Sequence, residues 1–213
     1  MLKDKLFSAT KSLSRFTAQT FACTALIFFS VWGGMELWFA YSEKGAPYVT
    51  TDRAVVYEML EAVDVSSEDV VYDLGSGDGR IPIAAAKKYG ARGVGVEIDS
   101  SLVVRSRARA EEVGVASQVE FRRQDLFNTD LSDATVVTLY LFRDMNIRLR
   151  PKLLRQLDPG DRIVSHDFGM GRWEPDRVID GGPDKTGRAT LYVWTVPEKI
   201  PQRLLQIPED LQE

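Results

Sequence analysis

An α/β fold, built on a mostly parallel seven-stranded sheet with helices on both faces, is predicted by three features of this 213-residue sequence. From Val70 onward, strand-like apolar runs alternate with helical patterns, as expected of a parallel sheet covered by crossover helices. The first run ends in a bare glycine turn that opens a helix, "VVYDLGSGDGR" at 70–80. Two late apolar runs flank the turn-rich "DGGPDKTGR" and predict a hairpin closing the sheet with one antiparallel edge.

Each element has its own signal. A helix over Asp52 to Val63 begins beside Thr51 and Asp52, both capping residue types. Strands are expected near 69–73, 93–97, 118–122, 134–140 and 161–166, each an apolar run bounded by polar or glycine positions. Between them the pattern predicts helices at Arg80 to Tyr89, with Pro82 harmless in the first turn, and at Ser100 to Val113, stopped by Gly114. A further helix is read at roughly Pro151 to Leu157. The hairpin strands are Arg177 to Ile179 and Thr190 to Val196. The tail "PEKIPQRLLQIPEDLQE" reads as a wrapping arm.

Composition narrows the function. Lys and Arg total 27 against 31 acidic residues, a net charge of −4, so no global positive field holds a polyanion and no nucleic-acid partner is expected. One cysteine, Cys23, and one histidine, His166, argue against disulfides and against cysteine- or histidine-rich metal centres, so no metal site is expected.

The first forty residues differ from the rest. Lys3, Lys5, Lys11 and Arg15 precede Phe16 to Met35, 20 residues without a formal charge. That is about the length of a membrane-spanning helix. The organisation expected is a basic segment at 1–15, a hydrophobic membrane-anchor helix at 16–41, a catalytic domain at 42–198 and a tail at 199–213. Trp32, Trp38 and Tyr41 suit an interface. A secretory signal, a buried helix or a helix lying in the interface are the alternatives. The basic start would hold the N-terminus in the cytoplasm and export the domain, whereas an acid-poor start also resembles an organellar presequence.

The glycine loop carries the chemistry. A strand that ends in such a turn presents backbone N–H groups and a helix N-terminus at the carboxyl edge of the sheet. The spacing here is Gly75-x-Gly77-x-Gly79, with Asp73 before the loop and Asp78 inside it, rather than G-x-G-x-x-G. Two carboxylates repel a pyrophosphate but suit a ligand with an ammonium or sulfonium, so S-adenosylmethionine fits better than NAD. Glu97, ending "GVGVEID", stands where an acid can accept ribose hydroxyls, and Asp125 follows the next strand, where it can receive the adenine amino group. Singly, Glu97 or Asp125 also reads as a solvated strand-end acid.

"DLGSGDGRIPIAAAKK", "VGVEIDSSLVVRSRARAEEVGV" and the later "WEPD" resemble the Rossmann-like class I methyltransferases that include the ATP synthase c-subunit and adenine nucleotide translocase lysine methyltransferases. The likeness runs from about Pro47 to Asp176, and an N-terminal hydrophobic segment is also a feature of that family. It implies that "PYVTTD" folds over the cofactor and that Tyr48, Thr50 and Thr51 approach it. Relatives usually carry a second proline where Thr50 stands. "YLFRDMN" after the fourth strand departs from the family's more apolar segment, on the edge that faces substrate.

For methyl transfer, Tyr48 and Tyr140 are candidates for an aromatic slot around a neutral amine. His166 and Asp167, at the end of the fifth strand, are candidates for orienting it or passing on its proton; their plainer reading is a strand cap and a turn. Asp144 is either a rim residue or a helix cap, and Trp173 either lines the groove or packs. The arginines and lysine at 143, 148, 150, 152 and 155 read as a solvated helix face or as a patch for lipid or an acidic partner. The leading function is protein-lysine N-methylation of a membrane protein. The alternatives are methylation of a lipid, quinone or other small molecule in the bilayer, and a non-catalytic sensor or assembly factor that binds S-adenosylmethionine. The location expected is a bacterial inner membrane with the domain accessible to cofactor, or the mitochondrial inner membrane in a eukaryote.

Overall fold

The computed structural model describes residues 48–184 and 187–212; the segments 1–15 and 16–41 lie outside them. Among the described residues no helix is long and apolar enough to cross a membrane.

The strands are β1 Val70–Leu74, β2 Arg92–Glu97, β3 Val119–Arg123, β4 Val136–Leu139, β5 Arg162–His166, β6 Arg177–Asp184 and β7 Gly187–Thr195. They form one sheet in the order β3-β2-β1-β4-β5-β7-β6. The first five are mutually parallel, and β7 runs antiparallel to both β5 and β6. The hairpin closes the sheet at one side as the sequence predicted, with β6 outermost and β7 inside it. Burial explains the inner place of β7: Ala189, Leu191, Val193 and Trp194 are all inaccessible or nearly so, which needs cover on both sides. β6 takes the edge instead, with Val178 exposed and an irregularity between Asp180 and Pro183, features that blunt an open edge. Pairing also extends into "DGGPDKTGR", as far as Asp184 with Gly187.

The helices are α1 Arg53–Ala62, α2 Arg80–Ala84, α3 Ser100–Glu112 and α4 Arg143–Gln156; α2 continues as a wider turn over Ala85–Tyr89. α1 places Val55, Val56, Met59, Leu60 and Ala62 on one face, a helical spacing, against Val71, Val136, Val164, Leu191 and Val193 of the sheet. Burying each such side chain stabilises the fold by about 1.5–3 kcal/mol. Asp52 stands at the N-cap of α1, but its side chain makes no capping bond; its carbonyl accepts from Val56 N–H at 3.0 Å. Ile83, Ala86, Val103, Ala110 and Phe121 build a second cluster between α2, α3 and the sheet.

α4 corrects the sequence reading most. It begins at Arg143 and holds Pro151 in its interior, where the sequence placed a start. The buried positions Asn146, Ile147, Leu149, Arg150, Leu153 and Leu154 recur at helical spacing, and that packed face outweighs the one hydrogen bond a proline removes. Asp144 falls in the first turn, behind the N-cap residue Phe142.

Neighbouring β1 and β4 are where the strand order changes direction. In open parallel sheets the ligand crevice forms at the carboxyl ends of the strands on either side of that reversal. β1 ends there in the glycine loop, β2 in Glu97 and β4 just before Tyr140.

Candidate active site

The loop after β1 is tied to β2: the amides of Gly75 and Ser76 both donate to the Val96 carbonyl at 2.9 Å. Gly77 and Gly79 have φ of +52° and +74°. A Cβ on Gly79 would stand 2.5 Å from the Phe121 ring, and one on Gly77 2.6 Å from the Tyr48 ring. Glycine is needed at both for conformation and for space.

Three of the four predicted acids, Asp73, Asp78 and Glu97, stand at this loop, and Asp125 caps a turn of its own. Asp73 is buried, and its Oδ1 accepts from the Thr138 hydroxyl on β4 at 2.7 Å. Burial pushes its pKa up to about 7; the Thr138 bond opposes this, and the Glu97 and Asp78 charges add to it. Glu97 holds the loop from the other side, accepting from Gly77 N–H at 2.9 Å and from the amides of Ile98 and Asp99 at 2.8 and 3.0 Å. A carboxylate has about four acceptor sites, so with these three amides kept it can take about one ribose hydroxyl rather than two. Asp125 caps the 3₁₀ turn Leu126–Asn128, accepting from Phe127 N–H at 2.9 Å and from the Asn128 amide at 3.1 Å.

Asp78 departs from the role the sequence suggested. Arg80 takes both of its oxygens at 2.7 Å, and Arg109 adds a bond at 2.8 Å. Burial alone would raise its pKa; Arg80, with help from Arg109, holds it below the ordinary range. The charge is neutralised within the fold, whereas no basic side chain bonds Asp73 or Glu97 among the described residues.

Residues 48–51 are fastened to the glycine loop. Arg80 also donates to the Thr51 carbonyl and bonds the Tyr48 hydroxyl, so one guanidinium joins the glycine loop to residues 48–51. Thr51 is buried, Thr50 is partly buried, and Tyr48 lies on Gly77 with 44% of its surface exposed.

An aromatic wall lies at the ends of β4 and β5. Tyr140 stacks on His166 with ring centroids 4.0 Å apart. His166 is buried, and its Nε2 is 3.4 Å from Asp167 Oδ2. Asp167 itself has φ +60°, a conformation few residues other than glycine and asparagine adopt. It is held there by paired bonds with the Thr190 backbone at 2.7 and 2.9 Å. Phe168 meets Tyr140 at 6.5 Å and Phe142 edge-on at 5.7 Å. Tyr48 and Tyr140 thus belong to two walls, one over the loop and one on β5. Phe142 and Phe168 were missed; the aromatic content of "YLFRDMN" and "HDFGMG" was the available signal. Ile98 was missed too: a 60% exposed aliphatic side chain directly after Glu97 suits the face of a planar base.

Two other candidates are structural. Trp173 is buried against Trp194, and its carbonyl accepts the Trp194 indole N–H at 3.0 Å, so it packs rather than lines a groove. Arg150 is fully buried, not solvated: it donates to the carbonyls of Met170, Leu204 and Gln206 at 2.8, 2.7 and 2.6 Å, tying the tail to the domain.

A buried carboxylate with a raised pKa, a second acid bonded to the loop amides and an exposed apolar side chain beside it fit S-adenosylmethionine. Sheet order, loop and acids together define a class I S-adenosylmethionine-dependent methyltransferase. The adenine nucleotide translocase lysine methyltransferase (ANTKMT) domain model matches residues 73–177. A protein-lysine N-methyltransferase of Saccharolobus islandicus is 42% identical over 153 residues, covering 71% of this chain and 94% of its own. The human lysine N-methyltransferase of the ATP synthase c-subunit is 40% identical over 166 residues, covering 73% of this chain and 71% of its own. The chain belongs to this family of lysine N-methyltransferase relatives. A Salinibacter ruber structure described as an RNA methyltransferase with S-adenosyl-L-homocysteine is 56% identical, with a TM-score of 0.69, covering 76% of this chain and all of that one.

Proposed function

We propose that this methyltransferase acts on the side-chain nitrogen of lysine in a membrane protein. The observation that carries the reading is the 40–42% identity to two enzymes named for lysine N-methylation, one of them for a component of ATP synthase. Thr50, Thr51, Asp73, Gly75, Gly77, Glu97 and Asp125 would hold S-adenosylmethionine, with Asp78 acting through Arg80. Bound there, the cofactor supplies an electrophilic methyl group on a cationic sulfur. The chain must then admit the lysine, align it and favour its neutral form. A free lysine has a pKa of about 10.4, and removal from water lowers it. Tyr48, Tyr140, Phe142 and Phe168 provide apolar walls for this. Asp167 draws in the cationic side chain, and with His166 it gives the departing proton a first acceptor.

The apolar run 16–41 is proposed to hold the enzyme at a membrane, where a lysine on a short loop between helices is within reach. The domain must lie on the side that contains S-adenosylmethionine, which favours a bacterial inner membrane or, in a eukaryote, the mitochondrial one. Resistance to carbonate extraction, lost on deleting 16–41, would support this; equal extraction of both forms would refute it.

A second reading, methylation of RNA, is favoured by the description of the Salinibacter structure. Against it stand the net charge of −4 and the absence of an Asp-Pro-Pro-Tyr type segment after β4, where "YLFR" occurs. Incubating enzyme and methyl-labelled S-adenosylmethionine with membranes and with total RNA separates the outcomes. Protease-sensitive label that mass spectrometry places on lysine supports the proposal. Nuclease-sensitive label supports RNA, label wholly soluble in organic solvent supports a lipid or quinone, and cofactor binding without any label supports a sensor.

A further inference from the structure

Beside the glycine loop opens a cleft of about 520 Å³ that shares only Asp78 with the predicted cofactor residues. Three helical elements build it: Arg53 begins α1, Arg80 begins α2 just after Asp78, and Arg105, Arg109 and Glu112 lie along α3. Four guanidinium groups face two carboxylates, in a chain whose net charge is −4. The ion pairs of the fold use only half of this charge. Arg80 and Arg109 both bond Asp78, at 2.7 and 2.8 Å. Arg53 and Arg105 are exposed, and among the described residues neither guanidinium makes a hydrogen bond or ion pair. Arg105 contributes to the field at Asp99 without bonding it.

Like charges gathered in one concavity repel, and an anion relieves the repulsion. Guanidinium forks match the oxygens of phosphate, to which they bond in pairs. The cleft is much larger than a bare ion, so the phosphate it suits is attached to a larger group. We infer that the cleft between α1, α2 and α3 binds a phosphate-bearing headgroup through Arg53 and Arg105, beside the Asp78–Arg80 pair. The apolar run Phe16–Met35 ends 18 residues before Arg53 in the chain, which favours an anionic phospholipid as the source. The inference does not depend on which molecule is methylated.

The test uses the full chain in detergent and glycerol 3-phosphate as probe, followed by phosphorus NMR at constant ionic strength. Saturable binding is expected, weakened about tenfold or more in the R53Q/R105Q double variant, as loss of charge-assisted bonds implies. A charge-matched control, R155Q/R203Q, changes two exposed arginines away from the cleft and should bind like wild type. Retained S-adenosylmethionine affinity in both variants, measured without phosphate, shows that each folds. Displacement of the probe by phosphatidylglycerol nanodiscs, but not by phosphatidylcholine ones, identifies a lipid headgroup; retention in both identifies a soluble phosphate ester. The inference is overturned if wild type shows no saturable binding, if R53Q/R105Q binds as wild type does, or if the control loses affinity equally.

Discussion

Asp78 and Arg80 form a two-point ion pair, both carboxylate oxygens held at 2.7 Å, at the turn where a ligand-facing acid was expected. Its purpose follows from the third bond of Arg80, to the Thr51 carbonyl of the lid. Arg80→Ala and Asp78→Ala should each weaken S-adenosylmethionine binding about tenfold, because a lid without its fastening must be ordered by the ligand. The double variant should lose less than the sum, with a coupling of about 1–3 kcal/mol. Arg80→Lys should not rescue, since an ammonium cannot make the paired contact. Calorimetric titration of wild type and the four variants checks this, and strict additivity would remove the latch.

Glu97 accepts three backbone N–H groups before any ligand is considered. Glu97→Ala should therefore act twice. It should lower stability in the absence of cofactor by about 1–3 kcal/mol, through unpaired amides. It should also weaken cofactor binding by more than that loosening explains, about a hundredfold, through the lost ribose acceptor. Denaturant melts and cofactor titrations measure the two effects separately; unchanged affinity would move the ribose elsewhere.

The positions of the strands and of the glycine loop were legible because glycines and acids at strand ends stand out against apolar runs. Three things were not, each for a physical reason. Pro151 marks a helix start in sequence, yet α4 carries it inside because six neighbouring positions are packed. Arg150 looks solvated among basic neighbours, and only the folded tail reveals the carbonyls it satisfies. Phe142 and Phe168 are far apart in the chain and become one wall only when β4 and β5 pair.

Arg150→Met should release the tail while leaving the crevice intact. Three carbonyls lose a charged donor in a buried place. A stability loss of about 2–4 kcal/mol is expected, partly offset by the apolar replacement. Limited proteolysis should cut first within 199–213, and cofactor affinity should stay within about twofold of wild type, the additivity expected of separated sites. A tail as resistant as in wild type would contradict the role assigned to this guanidinium.

Asp167 can be separated from its backbone conformation. At φ +60° asparagine is tolerated and keeps the oxygen that accepts the Thr190 N–H, so Asp167→Asn should fold with a normal melting temperature, whereas Asp167→Gly relaxes the backbone but loses that bond. Both remove the carboxylate 3.4 Å from His166 Nε2, and acceptor kcat/KM should fall about a hundredfold, the range of general acid–base groups. Tyr140→Ala should raise the acceptor KM, with cofactor affinity unchanged in all three. Full activity in Asp167→Asn would leave the residue a turn former only.

The buried Asp73 makes cofactor binding depend on pH near neutrality. Its pKa, about 7 in the folded protein against an ordinary 3.8, means that the native state keeps a proton which the unfolded chain releases. Stability of the cofactor-free protein should therefore fall as pH rises from about 4 to 7 and level off above, the unfolded state binding fewer protons across that window. Asp73→Asn abolishes this term, so its stability relative to wild type should be greater at pH 8 than at pH 4. Binding has the opposite slope. The ionised carboxylate attracts a cationic ligand and the protonated one does not, so affinity for S-adenosylmethionine should rise about tenfold from pH 6 to 8, the change in the ionised fraction of such a group. The ligand's own amine titrates nearby, and subtracting the Asp73→Asn profile removes that contribution. Parallel wild-type and Asp73→Asn binding curves would show that the carboxylate does not face the cofactor.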